Sequence, residues 1–237
     1  PGWGWSNVLP IFKKLENNER GESEYHGASG PIGCSDIHDR PEIMEAIISG
    51  AIETGIPRTD DFNGASQEGV GYYQLLTRHG RRSSTAVSYL RSARNRPNLT
   101  IVTDALAQRI LFDGTRASGV EYHRAGTIRK AYAAREIILS AGAVQSPQLL
   151  ELSGIGNPEI LKANGIPVVH ALAGVGENLQ DHLQFRLMYR CKKAITTNDD
   201  LNSWRRMIGI GLRYALNRRG PMAIGINHVG LFARVLP

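Results

Sequence analysis

Apolar positions in this chain recur at helical spacing in some stretches and alternate or cluster in others, a pattern that predicts mixed helix and strand. Val8, Leu9, Phe12 and Leu15 share one face of a first helix that Ser6 can cap, with Trp3 and Trp5 packing against it. The polar run from Glu16 to Gly30 reads as a loop, turned at Gly27 and Gly30. Pro31 to Ser35 is a candidate edge strand. Asp39 and Pro41 open a second helix carrying Ile43, Met44, Ile47, Ile48 and Ile52 on its apolar side, and Gly55 and Pro57 end it. Gly69 to Leu76 alternates toward a strand. Ser83 or Ser84 caps the next helix, Pro97 breaks it, and Leu99 to Thr103 reads as a strand.

Two strands, Arg109 to Phe112 and Ala117 to Tyr122, flank the turn pair Asp113-Gly114, and Gly126 turns the chain into a third, Ile128 to Ala133. The stretch that follows organises the rest. Ile137, Ile138 and Leu139 form a continuous apolar run, as expected of a strand covered on both faces. Ser140, Ala141, Gly142 and Ala143 are small, so another group can approach the backbone. Ser146 can cap a helix starting at Pro147, with Leu149, Leu150 and Leu152 on its apolar face and Gly154 at its stop. Ligands of open α/β sheets lie beyond strand carboxyl ends near helix N-termini. By local pattern alone, the stretch reads equally as an ordinary strand-turn-helix corner.

Asn157 and Pro158 start another short helix that ends at Asn164-Gly165, and Val168 to His170 extends. Gly174 and Gly176 mark a glycine-rich loop in which Asn178, Asp181 and His182 can form a hydrogen-bonded corner. Phe185 to Arg190 alternates as a strand, a longer helix runs from Asp199 or Asn202 to Leu216, and His228 to Val235 is a final strand.

Composition excludes more than it selects. The 237 residues are 41% hydrophobic and 21% charged, with a formal charge of +6, ordinary for a soluble globular protein. No apolar run approaches the ~18 residues needed to span a membrane. The basic residues are dispersed in pairs without interleaved aromatics, which argues against nucleic acid as a partner. Two distant cysteines, Cys34 and Cys191, argue against a disulfide scaffold or zinc site. Asp60, Asp61, Asn63 and Gly64 suggest a metal loop, but the completing Gly-x5-Glu of a calcium loop is missing, so no metal ligand is assigned.

GAVQSPQLLELSGIG, residues 142 to 156, resembles the second signature of the glucose-methanol-choline (GMC) family of FAD-dependent oxidoreductases, through Gly142, Ala143, Ser146, Pro147, Leu149, Leu150, Ser153, Gly154 and Gly156. Other stretches fit in order: GWGWSNVLPIFKKLE at 2–16, YHGASGP at 25–31, GRRSSTAVSYL at 80–90, RPNLTIVT at 96–103, LFDGTRASGVEY at 111–122 and GVGENLQDH at 174–182. The style is closest to choline dehydrogenase-like bacterial alcohol dehydrogenases. The resemblance implies an α/β (α+β mixed) fold: part of an FAD-binding doubly wound sheet with a three-stranded antiparallel meander, plus part of a substrate domain with an antiparallel sheet. Residues 80–182 would belong to the FAD-binding domain, and 1–79 and 183–237 to a surface segment and the substrate domain.

It further implies oxidation of a small primary alcohol to an aldehyde by hydride transfer to FAD N5. The backbone at Ala107 would meet the adenine, and the turn at Ser140, Ala141, Gly142 and Ala143 would complete the cradle. Tyr72, Tyr73, Gln74 and His182 are candidates for the substrate pocket, with core packing as the competing reading for the aromatics. The family's G-x-G-x-x-G loop and its C-terminal active-site histidine have no counterpart here, and none of the seven histidines matches that residue. No catalytic residue is therefore assigned. The chain is expected to be an internal piece of a protein about twice as long, cytoplasmic or membrane-peripheral, inactive alone and completed by missing N- and C-terminal parts. The alternative is a stand-alone binding or assembly module derived from that fold. The motifs leave open which alcohol is used, oxidase against dehydrogenase, and oligomeric state.

Overall fold

A computed structural model describes residues 2–225 and 227–234. In chain order its elements are α1 (Trp5–Leu15), β1 (Glu16–Asn18), β2 (Ile32–Cys34), α2 (Glu42–Glu53), β3 (Gly69–Tyr72), β4 (Thr77–Arg78) and β5 (Arg81–Arg82). A π-helical turn, Ala86–Leu90, runs into α3 (Arg91–Ala93). Then come β6 (Leu106–Asp113), β7 (Arg116–Arg124), β8 (Thr127–Tyr132), α4 (Gly142–Leu152), β9 (Ile155–Gly156), α5 (Pro158–Ala163), β10 (His170–Ala171), α6 (Thr197–Leu201), α7 (Trp204–Asn217) and β11 (Val229–Phe232). The chain divides into two compact units, Pro1–Leu99 with Met188–Pro237, and Thr100–Leu187. Residues 80–99, read from the sequence with the FAD-binding part, group with the first.

In the first unit, Ile48 is fully shielded on α2 and joins Ile37, Phe62 and Val70 in the core. Gly55, at φ +92, ends α2 where a left-handed residue is needed. The run from Glu16, read as loop, begins with a strand instead: β1 pairs β2 in parallel, Glu16 opposite Ile32 and Asn18 opposite Cys34. Gly27 and Gly30 are there for space rather than for turning, because a Cβ on either would collide with the backbone of Lys13 or Leu15. β3 pairs antiparallel with β11, Tyr72 opposite Val229. The last part of the expected 228–235 strand lies outside the described residues. α1 begins from Gly4 with no side-chain cap, and Trp3, expected to pack on it, is 89% exposed. The expected helix from 199 or 202 is two helices. Thr196 and Asp199 form a reciprocal capping box that starts α6, and α7 ends at Arg218 in the left-handed region.

The second unit contains the antiparallel meander β6-β7-β8. Gly114, and Ala125 with Gly126, take the positive φ that its tight turns require. α5 starts as the sequence predicts, with the Asn157 side chain accepting from the Glu159 N–H at 3.0 Å and Pro158 at the first position. Ile110, Leu149, Leu161 and Val175 form the core.

The mixed class holds, with small sheets and short helices, but three expected strands are corrected. Leu99 to Thr103, Glu136 to Ser140 and Phe185 to Arg190 belong to no strand. A strand exists only where a neighbour takes up its N–H and C=O groups, and no sheet among the described residues includes them. Ile138, read as buried on both faces, is 79% exposed, and Phe185 is 85% exposed.

Candidate functional site

In the second unit, α4 starts at Gly142, five residues before the predicted Pro147. Ser146 therefore does not cap its own turn. Its Oγ instead accepts the N–H of Ala141, the residue preceding the helix, at 3.1 Å. No side chain caps the helix from Ala141. The first-turn N–H groups of α4 have no intrahelical carbonyl to reach, and they carry the positive end of the helix dipole. Ser140, Ala141, Gly142 and Ala143 are all exposed. Gly142 sits at φ +92 with nothing within 4 Å of the space a Cβ would take. The result is an uncapped helix start on an open, small-residue lip.

The other end of α4 is anchored. Ser153 Oγ accepts the Ile110 N–H of β6 at 2.8 Å and donates to the Leu149 carbonyl within the helix. Both Ser153 and Ile110 are buried. This bond fixes α4 against the edge strand whose first turnings carry Ala107. Ala107 is exposed and pairs Tyr122, and a register shift separates it from Arg109. Beside it, Arg109 Nε donates to Glu121 at 2.9 Å, with Lys130 at 3.9 Å on the next strand. The Arg109 bond holds the Glu121 carboxyl below its ordinary range.

His182 lies in the same unit, exposed, and its backbone N–H donates to the Asp181 carboxylate at 2.8 Å. The Asp–His adjacency thus serves the loop backbone rather than orienting the imidazole.

The three remaining candidates lie in the first unit. The Tyr72 hydroxyl is buried. Burial, together with the nearby Glu45 carboxylate, pushes its pKa up to about 12. Neither the hydroxyl nor the buried Glu45 Oε1 has a hydrogen-bond partner among the described residues. Tyr73 packs on Phe62, ring centroids 5.3 Å apart. Gln74 joins a polar network: its Nε2 donates to Asp36 at 2.8 Å and to Asn18 at 3.2 Å, and its Oε1 accepts from Asn18 at 3.0 Å.

At the centre of that network is His26, which sequence reading passed over as a loop residue. Its Nδ1 meets Glu16 at 2.9 Å and its Nε2 meets Asp61 at 2.9 Å. Ionised carboxylates only accept, so these two contacts favour the cationic ring with hydrogen on both nitrogens. Burial opposes that charge, but the bonds to Asp61 and Glu16 outweigh it and raise the pKa. Asp36 shows the converse: burial would raise it, while Arg20 and Gln74 hold it low. The stretch from Asp60 to Gly64, to which the sequence assigns no metal, supplies the Asp61 half of the clamp. The visible signals were His26 and Asp61 themselves. Thirty-five residues separate them, and periodicity contains nothing at that range.

With both units described, comparison places the chain. A profile described as GMC oxidoreductase matches residues 1–184. The chain belongs to the GMC oxidoreductase family. This GMC chain is 44% identical to the oxygen-dependent choline dehydrogenase of Burkholderia ambifaria over 98% of its own length and 41% of that protein's. For the protein of the same name from Pectobacterium atrosepticum the figures are 44%, 98% and 42%. Among solved structures it resembles an FAD-dependent oxidoreductase from Chaetomium thermophilum (28% identity, TM-score 0.84, 97% of this chain and 43% of that one). It also resembles a formate oxidase (26% identity, TM-score 0.85, 99% and 42%). The GMC chain thus spans about 41% of the length of curated relatives it matches. Among the described residues no helix is long and apolar enough to cross a membrane, and no group of three or more His, Cys, Asp or Glu side chains suits a metal.

Proposed function

We propose that this GMC chain is an internal portion of a flavin-dependent oxidoreductase that oxidises a primary alcohol, choline or a similar one, to the aldehyde. In this reading the second unit supplies part of the flavin cradle. The uncapped, unobstructed start of α4 carries the proposal. An exposed helix N-terminus with no side chain over it, preceded by four small residues, fits a large electron-rich ligand lying close against the backbone. Gly142 leaves room for that approach, Ala107 offers exposed backbone at the head of β6, and Ser153 holds the two supports together. FAD, when bound, supplies the hydride acceptor.

The chain's own residues bind and orient; no proton-transfer role is assigned to them. His26 is locked between two carboxylates, and His182 has no group orienting its ring among the described residues. Tyr72, Tyr73 and the residues around β3 form the substrate-domain part in this reading, while Gln74 serves that part by tying Asn18 to Asp36. Substrate, cofactor and activity belong to the complete gene product, and the 237-residue chain alone is inactive. The sequence has no G-x-G-x-x-G loop, and without that loop's amides the diphosphate loses its main grip.

The test is flavin retention. The complete gene product should purify with flavin absorbance that bleaches on anaerobic addition of choline or another primary alcohol, and the 237-residue chain should purify colourless. A complete product without flavin removes the proposal. A yellow, alcohol-reducible 237-residue chain removes its claim of dependence on further polypeptide and favours the stand-alone module.

A further inference from the structure

Five arginines, Arg78, Arg81, Arg82, Arg91 and Arg218, line one cavity of about 520 Å³ in the first unit, together with His79. No acidic residue lines it, and none of the five arginines is in an ion pair among the described residues. An adjoining cavity that shares His79 and Arg218 is lined by three acids, each already engaged: Glu19 with His38 at 3.2 Å, Asp36 with Arg20 at 2.8 Å, and Asp39 with Arg213 and the Gly220 N–H. Such a concentration of one sign is unfavourable by itself, and the fold increases it. β4 and β5 form a tight hairpin in which Arg78 stands directly opposite Arg81. Like charges facing across strands destabilise a hairpin.

The backbone is committed to this arrangement as well. His79 and Gly80 take positive φ of 51° and 66° at the hairpin turn, and Arg218 takes 54° at the end of α7. Left-handed conformations are unfavourable for residues with a side chain, and such strain concentrates at functional sites. Gly80 leaves no space for a Cβ because the Arg218 backbone lies against it. The Tyr214 hydroxyl donates to the Gly80 carbonyl at 3.2 Å, and Arg218 stacks on the Tyr214 ring at 4.9 Å. The hairpin tip and the α7 cap are thereby fixed together, which holds Arg218 beside the hairpin that carries Arg78, Arg81 and Arg82. Also lining the cavity, the buried Ser83 Oγ accepts the Gly33 N–H and is hydrogen-bonded to the Ser88 hydroxyl at 2.9 Å, which pins the π-helical turn that leads to Arg91.

We infer that this arginine cavity is a binding site for a phosphate group, on a ligand distinct from any flavin held by the second unit. Guanidinium forks match tetrahedral oxyanions in bidentate geometry, and a cavity of this volume has room for more than the phosphate alone. A bound dianion removes the repulsion between Arg78 and Arg81 and stabilises the fold that holds them.

The experiment is calorimetric titration of the FAD-loaded complete gene product with inorganic phosphate, ionic strength held constant with chloride. The expected result is saturable binding at one site, weakened about tenfold by Arg82→Gln or Arg218→Gln, the low end for a hydrogen bond between charged groups. Arg129→Gln, on the exposed strand β8, should leave binding unchanged. A phosphate monoester that binds more tightly than inorganic phosphate indicates a phosphorylated metabolite; equal binding indicates free phosphate. Where an arginine variant loses its far-ultraviolet dichroism, the wild type decides: phosphate must raise its thermal midpoint beyond equal ionic strength of chloride. No saturable heat, equal weakening by Arg129→Gln, or no thermal difference between phosphate and chloride overturns the inference.

Discussion

Replacing Ser153 by alanine tests how the second unit holds α4 against β6. β6 is an edge strand, so the N–H groups on its outer side have no ladder partner, and the Ile110 N–H is given to Ser153 Oγ at 2.8 Å. Ser153 is 7% exposed and Ile110 8%, so water does not readily replace the lost acceptor. Leaving a buried N–H unpaired costs about 1–3 kcal/mol. Taking about 2 kcal/mol, with each 1.4 kcal/mol worth a factor of ten, local opening at Ile110 becomes about 30-fold more frequent. Amide hydrogen exchange followed by nuclear magnetic resonance reads this directly. Ile110 exchange should accelerate by about that factor, while Ile48, in the core of the first unit, provides the reference. Unchanged Ile110 protection would refute the assignment of Ser153 as the clamp, and equal acceleration at Ile48 would show a global loss instead.

The His26 clamp predicts a pH dependence. Its pKa is raised in the fold, so its stabilisation is full below the ordinary imidazole value of ~6.5 and lost as pH rises through the higher folded value. Asp36, held low, acts oppositely: its contribution is present above the ordinary carboxylate value and lost as pH falls. Urea midpoints of the wild type should therefore decline on the alkaline side, and His26→Gln should flatten that limb alone. Gly71→Ala places a Cβ against the Thr59 carbonyl oxygen and should destabilise by about 1–3 kcal/mol through overpacking, visible as a lowered urea midpoint with unchanged slope. Burial pushes the Cys34 thiol up to about 12, so iodoacetamide at neutral pH should label Cys191 well before Cys34, as peptide mapping would show.

The sequence was most legible where structure is local. The meander turns at Gly114 and Gly126, the Asn157 cap with Pro158, and the α2 stop at Gly55 all depend on residues within a few positions of one another. It misled where a segment depends on a partner. Ile137, Ile138 and Leu139 have the composition of a buried strand, but composition cannot provide the neighbour that makes one, and Ile138 lies exposed between half-buried Ile137 and Leu139. The α4 boundary moved to Gly142 because the small residues before Pro147 join the helix and Ser146 reaches backward to Ala141. In the candidate site the small-residue lip was visible as composition. The Ser153–Ile110 clamp and the Glu16–His26–Asp61 bridge were not, since each joins residues distant in sequence and leaves no periodic trace. Gln74 was legible as a polar residue after a strand; its engagement by Asn18 and Asp36 follows from the parallel β1–β2 pairing, which the polar sequence of β1 conceals.

Hydrogen–deuterium exchange on the complete gene product, with and without FAD, addresses the cradle most directly. FAD addition should slow exchange at the amides of Gly142 and Ala143 and around Ala107. Protection elsewhere in the protein, with Ala107 and the start of α4 exchanging as fast as before, would contradict it.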